Sequence, residues 1–536
     1  MSAARLPQLP STAAPPEADD ARYLALKSRD ARFDGQFFTA VTSTGIYCRP
    51  VCKVRTPRRE NCRFFALAAQ AEAAGFRPCL RCRPELAPGQ SSGLAWSTQD
   101  ASGLLAQQAA RLLDTLPLEP AGRDHGPGAR MQAVAARLGV SDRHLRRIFE
   151  AQWGVSPLQY LQTRRLLTAK QLLTDTPLPM AQLAVLSGFS SVRRFNDAFV
   201  RHYRLAPRDL RRQLPSAAPS GEPLTSGITV RASYRPPYDH AAMLEFLRQR
   251  SLSGMETVDC ARGLWRRTLQ ISPPGRVDTG AQPGPSLRGW LEARFLPESH
   301  QVELRISDSL RSVLPQVLHR LRAALDLDAD PLAIEAQLGS HFPGQAGSRV
   351  PGTVDGLELA VRAVLGQQVT VAAARTIAQR LLALGPAIET PWAGIHQGFP
   401  TATDLLQASA ATLGAMGIVR QRQRAIHALA QAVAQGELLL EPGAPVAATL
   451  QALQTLPGIG PWTAHYIAMR ALRWPDAFPA GDVALQLALG VRQAPKPALA
   501  AERASEAWRP WRSYAVVRAW KLLPAVSNST SLHLSP

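Results

Sequence analysis

LQTLPGIGPWTAHYIAMRAL (453–472) is the stretch of this 536-residue sequence that says most about its fold. A Pro-Gly-Ile-Gly turn separates two amphipathic helical patterns, which predicts a helix-hairpin-helix. Glycines in such a turn allow another backbone to approach closely. The amides of Gly458 and Gly460, at the start of the second helix, can then face a nucleic-acid phosphate. Taken alone, the turn also fits DNA-binding proteins that have no catalytic activity.

A carboxylate follows the hairpin in FPAGDVALQ (478–486), where Asp482 comes after a Pro-Ala-Gly bend and before a helix. Such an Asp is usually an N-cap, but over a hairpin mouth it also fits the catalytic carboxylate of a base-excision glycosylase. One carboxylate is enough when the leaving base is an alkylated purine, because the positive charge of that base weakens its glycosidic bond. The enzyme must extrude the nucleotide and stabilise an oxocarbenium-like sugar while water attacks.

Aromatic side chains near this carboxylate are candidates for a pocket that holds a cationic base. Trp462, Tyr466 and Trp520 could supply the faces, although core packing is the simpler role for any one of them alone. Trp462 also occupies the position, two residues after the second hairpin glycine, where glycosylases that form a Schiff base carry Lys. The sequence therefore predicts a monofunctional glycosylase without lyase activity.

Residues 228–524 resemble the AlkA-type 3-methyladenine DNA glycosylase II family. The shared motifs are YRPPYD (234–239), RAVLGQQV (362–369), the hairpin, Gly-Asp at 481–482 and WRPWRSYAVVRAW (508–520). The resemblance implies that Asp482 is catalytic, and Gly481, where the family often has a second Asp, implies that only Asp482 is essential. It implies a base pocket that is lined or bordered by Trp462, Tyr466, Trp520 and Gln367. Gln368 stands at the position where the family inserts a wedge residue, usually an apolar one, into the gap in the DNA. It also implies a structural Na⁺ or K⁺ on the backbone carbonyls of Gln454, Leu456 and Gly458.

Five of the six cysteines lie in GIYCRPVCKVRTPRRENCRFFALAAQAEAAGFRPCLRC (45–82). Cys48, Cys52, Cys79 and Cys82 have the C-x3-C and C-x2-C spacing of a tetrahedral zinc site. Most such sites only stabilise a small domain. Cys62 and the isolated Cys260 are expected to be core residues.

The surroundings of these cysteines, FFTAVTSTGIYCRPVC (37–52) and FRPCLRCRPE (76–85), resemble the N-terminal domain of the Ada adaptive-response family. The resemblance implies that Cys48 accepts a methyl group irreversibly from a DNA methylphosphotriester. Four thiolates on Zn²⁺ leave a charge of about −2, which methylation of one sulfur reduces to about −1. Lower repulsion would then let nearby cations bind DNA more tightly; they are Arg49, Lys53, Arg55 and Arg77. The second methyl-acceptor motif of that family, Pro-Cys-His, does not occur in this sequence.

The middle of the chain contains a near-repeat, MQAVAARLGVSDRHLRRIF (131–149) and MAQLAVLSGFSSVRRFNDAF (180–199). Each copy has Ala four residues before Gly, as in a helix-turn-helix whose Gly takes the tight turn. The following helices carry cations that could read guanine or bind phosphate: Arg143, Arg146 and Arg147, then Arg193 and Arg194. With the long helix over 158–173, the pair resembles the DNA-binding half of AraC-type regulators, although Arg204 replaces a usual glycine. An ordinary helical bundle is the alternative.

Charge and composition agree with a nucleic-acid partner. The net charge is +20, and residues 46–83 and 137–212 supply +16 of it, with nine Lys/Arg against two acids and fourteen against five. A polyanionic partner is therefore expected, although an Arg-rich genome would also raise the charge. The N-terminus shows no apolar core of signal-peptide type, and no run of 18 apolar residues occurs. A cytoplasmic, nucleoid-associated monomer without an organic cofactor or membrane contact is expected.

The expected fold is multidomain and mainly α with α+β parts: a small zinc-bound α+β module, an all-α tandem helix-turn-helix, and an antiparallel sheet domain before an all-α body. The Pro/Gly-rich stretches PELAPGQSSG (84–93) and QLPSAAPSGEPLTSG (213–227) suggest linkers. The predicted boundaries are a disordered 1–20, a zinc module 21–90, helix-turn-helix pair 100–212, linker 213–227, α+β subdomain 228–308, glycosylase body 309–524 and tail 525–536.

These features predict a fused alkylation-damage protein that excises bases such as 3-methyladenine, takes up methyl groups and regulates transcription at promoter sites. Its partner is double-stranded DNA, with RNA polymerase as a second partner if it activates. One rival is a regulator whose C-terminal body binds damaged DNA without excising it. Another is a glycosylase whose first 220 or so residues serve only as DNA tethers.

Overall fold

The structure, a computed structural model, describes residues 16–89, 101–115, 127–213, 227–271 and 286–523. The predicted fold class, mainly α with small α+β parts, is confirmed. Residues 1–15, most of the linker over 213–227 and the tail lie outside the described residues. Among the helices that are described, none is both long and apolar enough to cross a membrane.

The N-terminal module is a four-stranded sheet with two helices. Its elements are α1 (Pro16–Ser28), β1 (Phe38–Val41), β2 (Ile46–Cys48), β3 (Cys62–Phe65), α2 (Ala68–Ala73) and β4 (Arg77–Pro78). The strand order is β3-β1-β2-β4, with only β4 parallel to its neighbour. Helix α1 begins inside the segment 1–20 that we expected to be disordered, so that expectation is wrong for residues 16–20.

In the described residues of the middle of the chain there are seven helices: α3 (Ala101–Thr115), α4 (Pro127–Arg137), α5 (Asp142–Trp153), α6 (Pro157–Asp175), α7 (Met180–Leu186), α8 (Val192–Tyr203) and α9 (Pro207–Gln213). Ser141 and Ser191 cap the two helices that follow the turns, α5 and α8. The turn glycines of the near-repeat, Gly139 and Gly188, have φ of 68° and 82°. Two helix-turn-helix units joined by α6 are therefore present, as predicted.

The next module is an antiparallel sheet of order β5-β9-β8-β7-β6. Its elements are β5 (Ile228–Ser233), α10 (His240–Arg250), β6 (Glu256–Asp259), β7 (Leu264–Ile271), β8 (Leu287–Leu296) and β9 (Gln301–Ile306). The sequence predicted only β5, β7 and β9. The central strand β8 lacks the apolar-polar alternation of a half-exposed strand because five consecutive residues, 289–293, are buried.

The C-terminal body is helical, as predicted. Its helices are α11 (Leu314–Ala324), α12 (Pro331–Leu338), α13 (Gly356–Leu365), α14 (Val371–Leu381), α15 (Ala402–Gln407), α16 (Ala410–Ala415), α17 (Arg420–Ala434), α18 (Val446–Thr455), α19 (Pro461–Arg470), α20 (Val483–Ala488), α21 (Pro497–Ala504) and α22 (Arg512–Leu522). The hairpin lies between α18 and α19. The bend before α20 and the end of α22 both meet α19, which brings three separate segments to one site.

The modules pack together rather than lying apart as tethered units. The second helix-turn-helix and the five-stranded sheet share one hydrophobic core, which contains Phe195 and Phe199 from α8 together with Val230 and Leu304 from the sheet. Of the stretch 84–93, expected to be loose, residues 84–89 are described and are held in place: the Gly89 amide donates to Asp328 Oδ1 at 2.6 Å, and Leu86 is buried. Residues 90–93 lie outside the described residues.

Candidate active site and zinc centre

Asp482 lies where the sequence predicts, between the hairpin and α20, and it is the N-cap of α20. Its Oδ1 accepts a hydrogen bond from the Leu485 amide at 2.8 Å and another from Trp520 Nε1 at 3.1 Å. Its Oδ2 accepts one from Trp462 Nε1 at 3.0 Å. Three donors from three segments therefore orient a half-buried carboxylate. The N-cap role and a chemical role are compatible here.

The aromatic rings predicted for the pocket lie together beside this carboxylate. Trp462 stacks on Tyr466 with ring centroids 5.5 Å apart and planes 20° from parallel. Tyr466 and Trp520 are 6.4 Å apart. Because both indole N–H groups are bound to Asp482, the planes of the two tryptophans are held in place. The three half-buried rings can present apolar faces to a flipped base.

The phenol of Tyr466 lies among guanidinium groups. Arg470 Nη1 donates to Tyr466 Oη at 2.6 Å. Burial by itself would raise the pKa of this phenol, but the positive charges of Arg470, Arg250 and Arg362 hold that pKa below its usual value. Burial also lowers the pKa of Arg250, to about 10, so the side chain remains a cation at neutral pH.

The hairpin has an open face. Gly458 has φ of 77°, a left-handed conformation that favours glycine. Gly460, the N-cap of α19, has an ordinary φ of −88°, and a Cβ added there would meet no described atom within 4 Å. Neither backbone strain nor packing within the described protein therefore demands a glycine at Gly460. The space in front of it can admit another backbone, such as that of DNA.

Two glutamines after α13 border the hairpin differently. Gln367 Nε2 donates to Gly458 O and to Thr463 Oγ1, both at 2.9 Å, so it braces the hairpin. Gln368 is exposed and has φ of 54°, a backbone conformation that is uncommon for a residue other than glycine. That Gln368 is the DNA wedge stays a prediction.

The four cysteines predicted to bind zinc come together at the end of β2 and after β4. The Sγ atoms of Cys48, Cys52, Cys79 and Cys82 all lie within 4.8 Å of one another. Thiolates around tetrahedral Zn²⁺ sit about 2.3 Å from the metal, which places them about 3.8 Å apart. The donor set and its compactness fit Zn²⁺. Cys62 is buried on β3, whereas Cys260 is exposed, which corrects the prediction that Cys260 is a core residue.

Arg49 is buried, with only 5% of the residue exposed, and its expected role in DNA binding is wrong for this structure. Nε donates to Asp34 Oδ1 at 2.8 Å, Nη2 pairs with the other oxygen of the same carboxylate, and Nη1 donates to Cys82 O at 3.0 Å. Arg49 thus stabilises the loops that carry the cysteines. Lys53 and Arg55 are exposed, and Arg77 is half-buried, so these three remain candidates for DNA contact.

The arginines predicted on the helix-turn-helix units lie on the exposed faces of α5 and α8. Arg146 pairs with Asp142 at 2.8 Å, one turn away, and Arg194 Nη1 donates to Ser190 Oγ at 3.3 Å. Exposed basic side chains on the second helix of each unit match the groove-facing side of such motifs. Arg204, the C-cap of α8, has φ of 54° and so takes the left-handed conformation that Gly154 takes after α5.

Sequence reasoning missed two buried cations that connect the modules. Arg235 is fully buried and donates to backbone carbonyls of both the zinc module and the segment before α12. Lys170 on α6 donates to Cys79 O at 2.9 Å and to Glu85 Oε2 at 2.8 Å. Lys170 interrupts the apolar pattern of α6. This interruption is the local sequence signal from which a buried cation could have been predicted. Arg235 lies inside YRPPYD, but nothing local to that motif shows its partners.

A thiolate metal module, two helix-turn-helix units and a helix-hairpin-helix body with a carboxylate define a DNA-repair protein joined to a DNA-binding regulator. Four family descriptions match the chain: "Metal binding domain of Ada" at 21–85, "Helix-turn-helix domain" at 134–213, "AlkA N-terminal domain" at 229–355 and "HhH-GPD superfamily base excision DNA repair protein" at 361–513. A "probable bifunctional transcriptional activator/DNA repair enzyme AlkA" of Mycobacterium tuberculosis is 37% identical over 94% of this chain and 96% of its own length. The chain belongs to this family of bifunctional transcriptional activator/DNA repair enzymes.

Two further relatives each match one part of the chain. The DNA-3-methyladenine glycosylase 2 of Escherichia coli is 32% identical over 54% of this chain and 95% of its own length. The bifunctional transcriptional activator/DNA repair enzyme Ada of Escherichia coli is 38% identical over 27% of this chain and 36% of its own length. The resemblances to the Ada, AraC-type and AlkA-type families are therefore confirmed, and DNA is the partner.

Proposed function

We propose that this protein hydrolyses the glycosidic bond of alkylated bases in DNA, with 3-methyladenine as the type substrate. The observation that carries the proposal is the carboxylate of Asp482, which receives an indole N–H from each of Trp462 and Trp520. A carboxylate held at an aromatic pocket can stabilise the positive charge that develops on the sugar and can orient the attacking water. Trp462 stands where a Schiff-base lysine would be required, so the reaction ends at an abasic site without strand cleavage.

In this mechanism the hairpin and the rim residues hold the DNA. The amides near Gly460 face a backbone phosphate, Gln368 enters the gap that the flipped nucleotide leaves, and Gln367 fixes the hairpin carbonyl. A Na⁺ or K⁺ on the carbonyls of Gln454, Leu456 and Gly458 would stiffen the turn. Gly458 O already accepts a hydrogen bond from Gln367, but a carbonyl oxygen has a second lone pair that such an ion could use.

The same protein, we propose, takes a methyl group from a DNA methylphosphotriester onto Cys48. The sulfur would attack the methyl carbon; an S–C bond forms as the C–O bond breaks, and the phosphate leaves as an ordinary anionic diester. Bound Zn²⁺ would keep the four cysteines as thiolates at neutral pH. Burial of Cys48, Cys52 and Cys79 limits side reactions. Each protein molecule would accept one methyl group.

As a regulator, the protein would bind promoter DNA through α5 and α8, with Arg143, Arg146 and Arg147 in one groove segment and Arg193 and Arg194 in the next. We propose that it acts in the cytoplasm as a monomer, and that it activates transcription by contact with RNA polymerase. The buried connection of the zinc module to α6, through Lys170, supports coupling between methyl uptake and DNA binding.

The test uses methylated duplex DNA with the full-length protein. We expect release of 3-methyladenine and, by mass spectrometry, one added methyl group on Cys48. Asp482→Asn should abolish base release while keeping the helix cap, because Asn caps as well as Asp. Asp355→Asn, at the N-cap of α13, is the matched control and should stay active. Cys48→Ala should lose methyl uptake and keep base release.

Three outcomes would contradict the proposal. If the native protein binds methylated DNA but releases no base, the rival reading as a damage-binding regulator without excision is correct. If Cys48→Ala still gains a methyl group on another cysteine, the acceptor is misassigned. An unchanged rate for Asp482→Asn would remove the carboxylate from the mechanism.

A further inference from the structure

The bend over residues 478–482, which ends at Asp482, has two turn hydrogen bonds of its own. The Ala480 amide donates to Phe478 O at 2.9 Å, and the Asp482 amide donates to Pro479 O at 2.8 Å. These bonds connect the backbone of Asp482 to that of Phe478. Because both of them close within the bend, they do not fix its place against α19.

His465 ties the start of this bend to α19. The backbone amide of Phe478, a residue that is 3% exposed, donates to His465 Nδ1 at 3.2 Å. A backbone amide only donates, so Nδ1 is the unprotonated nitrogen of the ring. Burial, more than the nearby Arg512, lowers the pKa of His465, against the opposite effect of Asp476. The imidazole is therefore neutral at pH 7 and keeps its acceptor.

Helix α19 thus reaches the Asp482 segment at two points that lie one helical turn apart. Trp462 Nε1 donates to the carboxylate at 3.0 Å, and His465 binds the backbone four residues before Asp482. A third attachment comes from α20, where Gln486 is 3% exposed and its Nε2 donates to Ala480 O at 2.8 Å. Side chains from two helices therefore hold the backbone from which the carboxylate extends.

We propose that His465 and Gln486 are positioning residues, which act through the backbone of residues 478–482 to hold Asp482 at the aromatic pocket. The proposal rests on the glycosylase function above. In the described structure neither side chain is bonded to the carboxylate itself, so its effect reaches the reaction through the bend. Stabilisation of a developing charge depends steeply on placement, and a displacement of about 1 Å can slow a reaction about 100-fold.

The experiment measures single-turnover release of 3-methyladenine from methylated duplex DNA at saturating protein, with DNA affinity measured separately by fluorescence anisotropy. His465→Leu removes the acceptor for the Phe478 amide. We expect the rate to fall about tenfold to 100-fold and the affinity to change less than about twofold. His465→Asn should restore most of the rate, because Asn Oδ1, like His Nδ1, is bonded to Cγ and can accept from the same amide.

A second variant tests the other side of the bend. Gln486→Met has a side chain of similar length but no donor for Ala480 O, and we expect the rate to fall at least about fivefold. His427→Leu on α17 is the matched control and should keep the native rate, because His427 is half-buried and its Nε2 has no hydrogen-bond partner within the described residues. Scanning fluorimetry selects a temperature at which every variant is folded.

The outcomes separate this inference from the function on which it rests. If His465→Leu or Gln486→Met releases the base at the native rate, that residue does not position Asp482. The inference about His465 also fails if His465→Asn is as slow as His465→Leu, or if the affinity falls while the rate at saturation does not. If the native protein releases no 3-methyladenine, the glycosylase function itself is wrong.

Discussion

The Nε of Arg235 donates a hydrogen bond to the backbone oxygen of Asp34 at 2.7 Å, although the two residues lie 201 positions apart and belong to different modules. The same guanidinium donates to Gly89 O at 2.6 Å and to Asp328 O at 2.8 Å. One buried side chain therefore joins the zinc module to the glycosylase. A second buried arginine, Arg49, adds to this connection by donating to Ser233 Oγ at 3.2 Å.

Replacement of Arg235 by Met should loosen this junction. The variant leaves carbonyls without donors in a buried place, and each buried hydrogen bond to a charged group contributes about 1.5–3 kcal/mol. We expect the free energy of unfolding to fall by at least about 3 kcal/mol, together with faster proteolysis after residue 89. Thermal unfolding and limited proteolysis measure both. Arg262→Met, at an exposed position, is the control, and equal behaviour of the two variants would refute the role of Arg235.

Substitution of Arg49 should reduce the stability of the protein, whereas substitution of its exposed neighbours Lys53 and Arg55 should weaken DNA binding. Arg49→Met leaves Asp34 buried without its cation, and breaking a buried pair in this way costs about 3–5 kcal/mol. The double variant Lys53→Ala/Arg55→Ala should leave stability unchanged and weaken DNA binding. Each lost phosphate contact reduces the slope of log K against log salt by about 0.9. Fluorescence anisotropy with a duplex over a salt series measures this slope, and a slope unaffected by the double variant would exclude Lys53 and Arg55 from the interface.

The ends of the two recognition helices offer a paired test of backbone strain. Arg204 is exposed and has φ of 54°, whereas Gly154 has φ of 63° at the equivalent place. A residue with a Cβ pays about 1–2 kcal/mol in this conformation. Arg204→Gly should therefore raise the melting temperature, and Gly154→Ala should lower it. Differential scanning fluorimetry measures both changes in melting temperature. If the changes have the opposite signs, side-chain contacts outweigh the strain of the left-handed backbone conformation.

How much the sequence reveals depends on whether the determining contacts are local. The hairpin glycines, the cysteine spacing and the caps Ser141 and Ser191 act over a few residues, so the pattern alone predicts zinc-type clustering and helix-turn-helix units. The environment of Arg49 is different, because its position in a basic stretch suggested DNA whereas Asp34 and Ser233 make it a buried structural residue. Such pairings depend on how modules pack, and no spacing in the sequence encodes them.

His319 on α11 predicts an acid sensitivity. Burial, more than the nearby Arg164, lowers its pKa from 6.5 to about 4. Since the folded state resists protonation, the unfolded state binds more protons between these values, and stability falls as pH drops from 6.5 toward 4. A shift of this size corresponds to about 3 kcal/mol at most. His319→Gln, which cannot gain a proton, should flatten the dependence of the melting temperature on pH below 6.5. An identical pH profile for the variant and the native protein would assign the acid sensitivity to other groups.

The indole of Trp520 should matter for rate through its N–H group as well as its ring. Trp520→Phe keeps an aromatic face and removes the donor to Asp482 Oδ1 at 3.1 Å, leaving that oxygen with the Leu485 amide. A hydrogen bond to a charged group contributes about 1.5–3 kcal/mol, which corresponds to about a tenfold to 100-fold change in rate if the bond orients the carboxylate in the transition state. We expect the single-turnover rate of base release to fall by that factor, with little change in DNA affinity. Trp511→Phe, at a buried position on the same segment, is the control for ring size. If DNA affinity falls and the rate at saturation does not, Trp520 binds the base and does not orient Asp482.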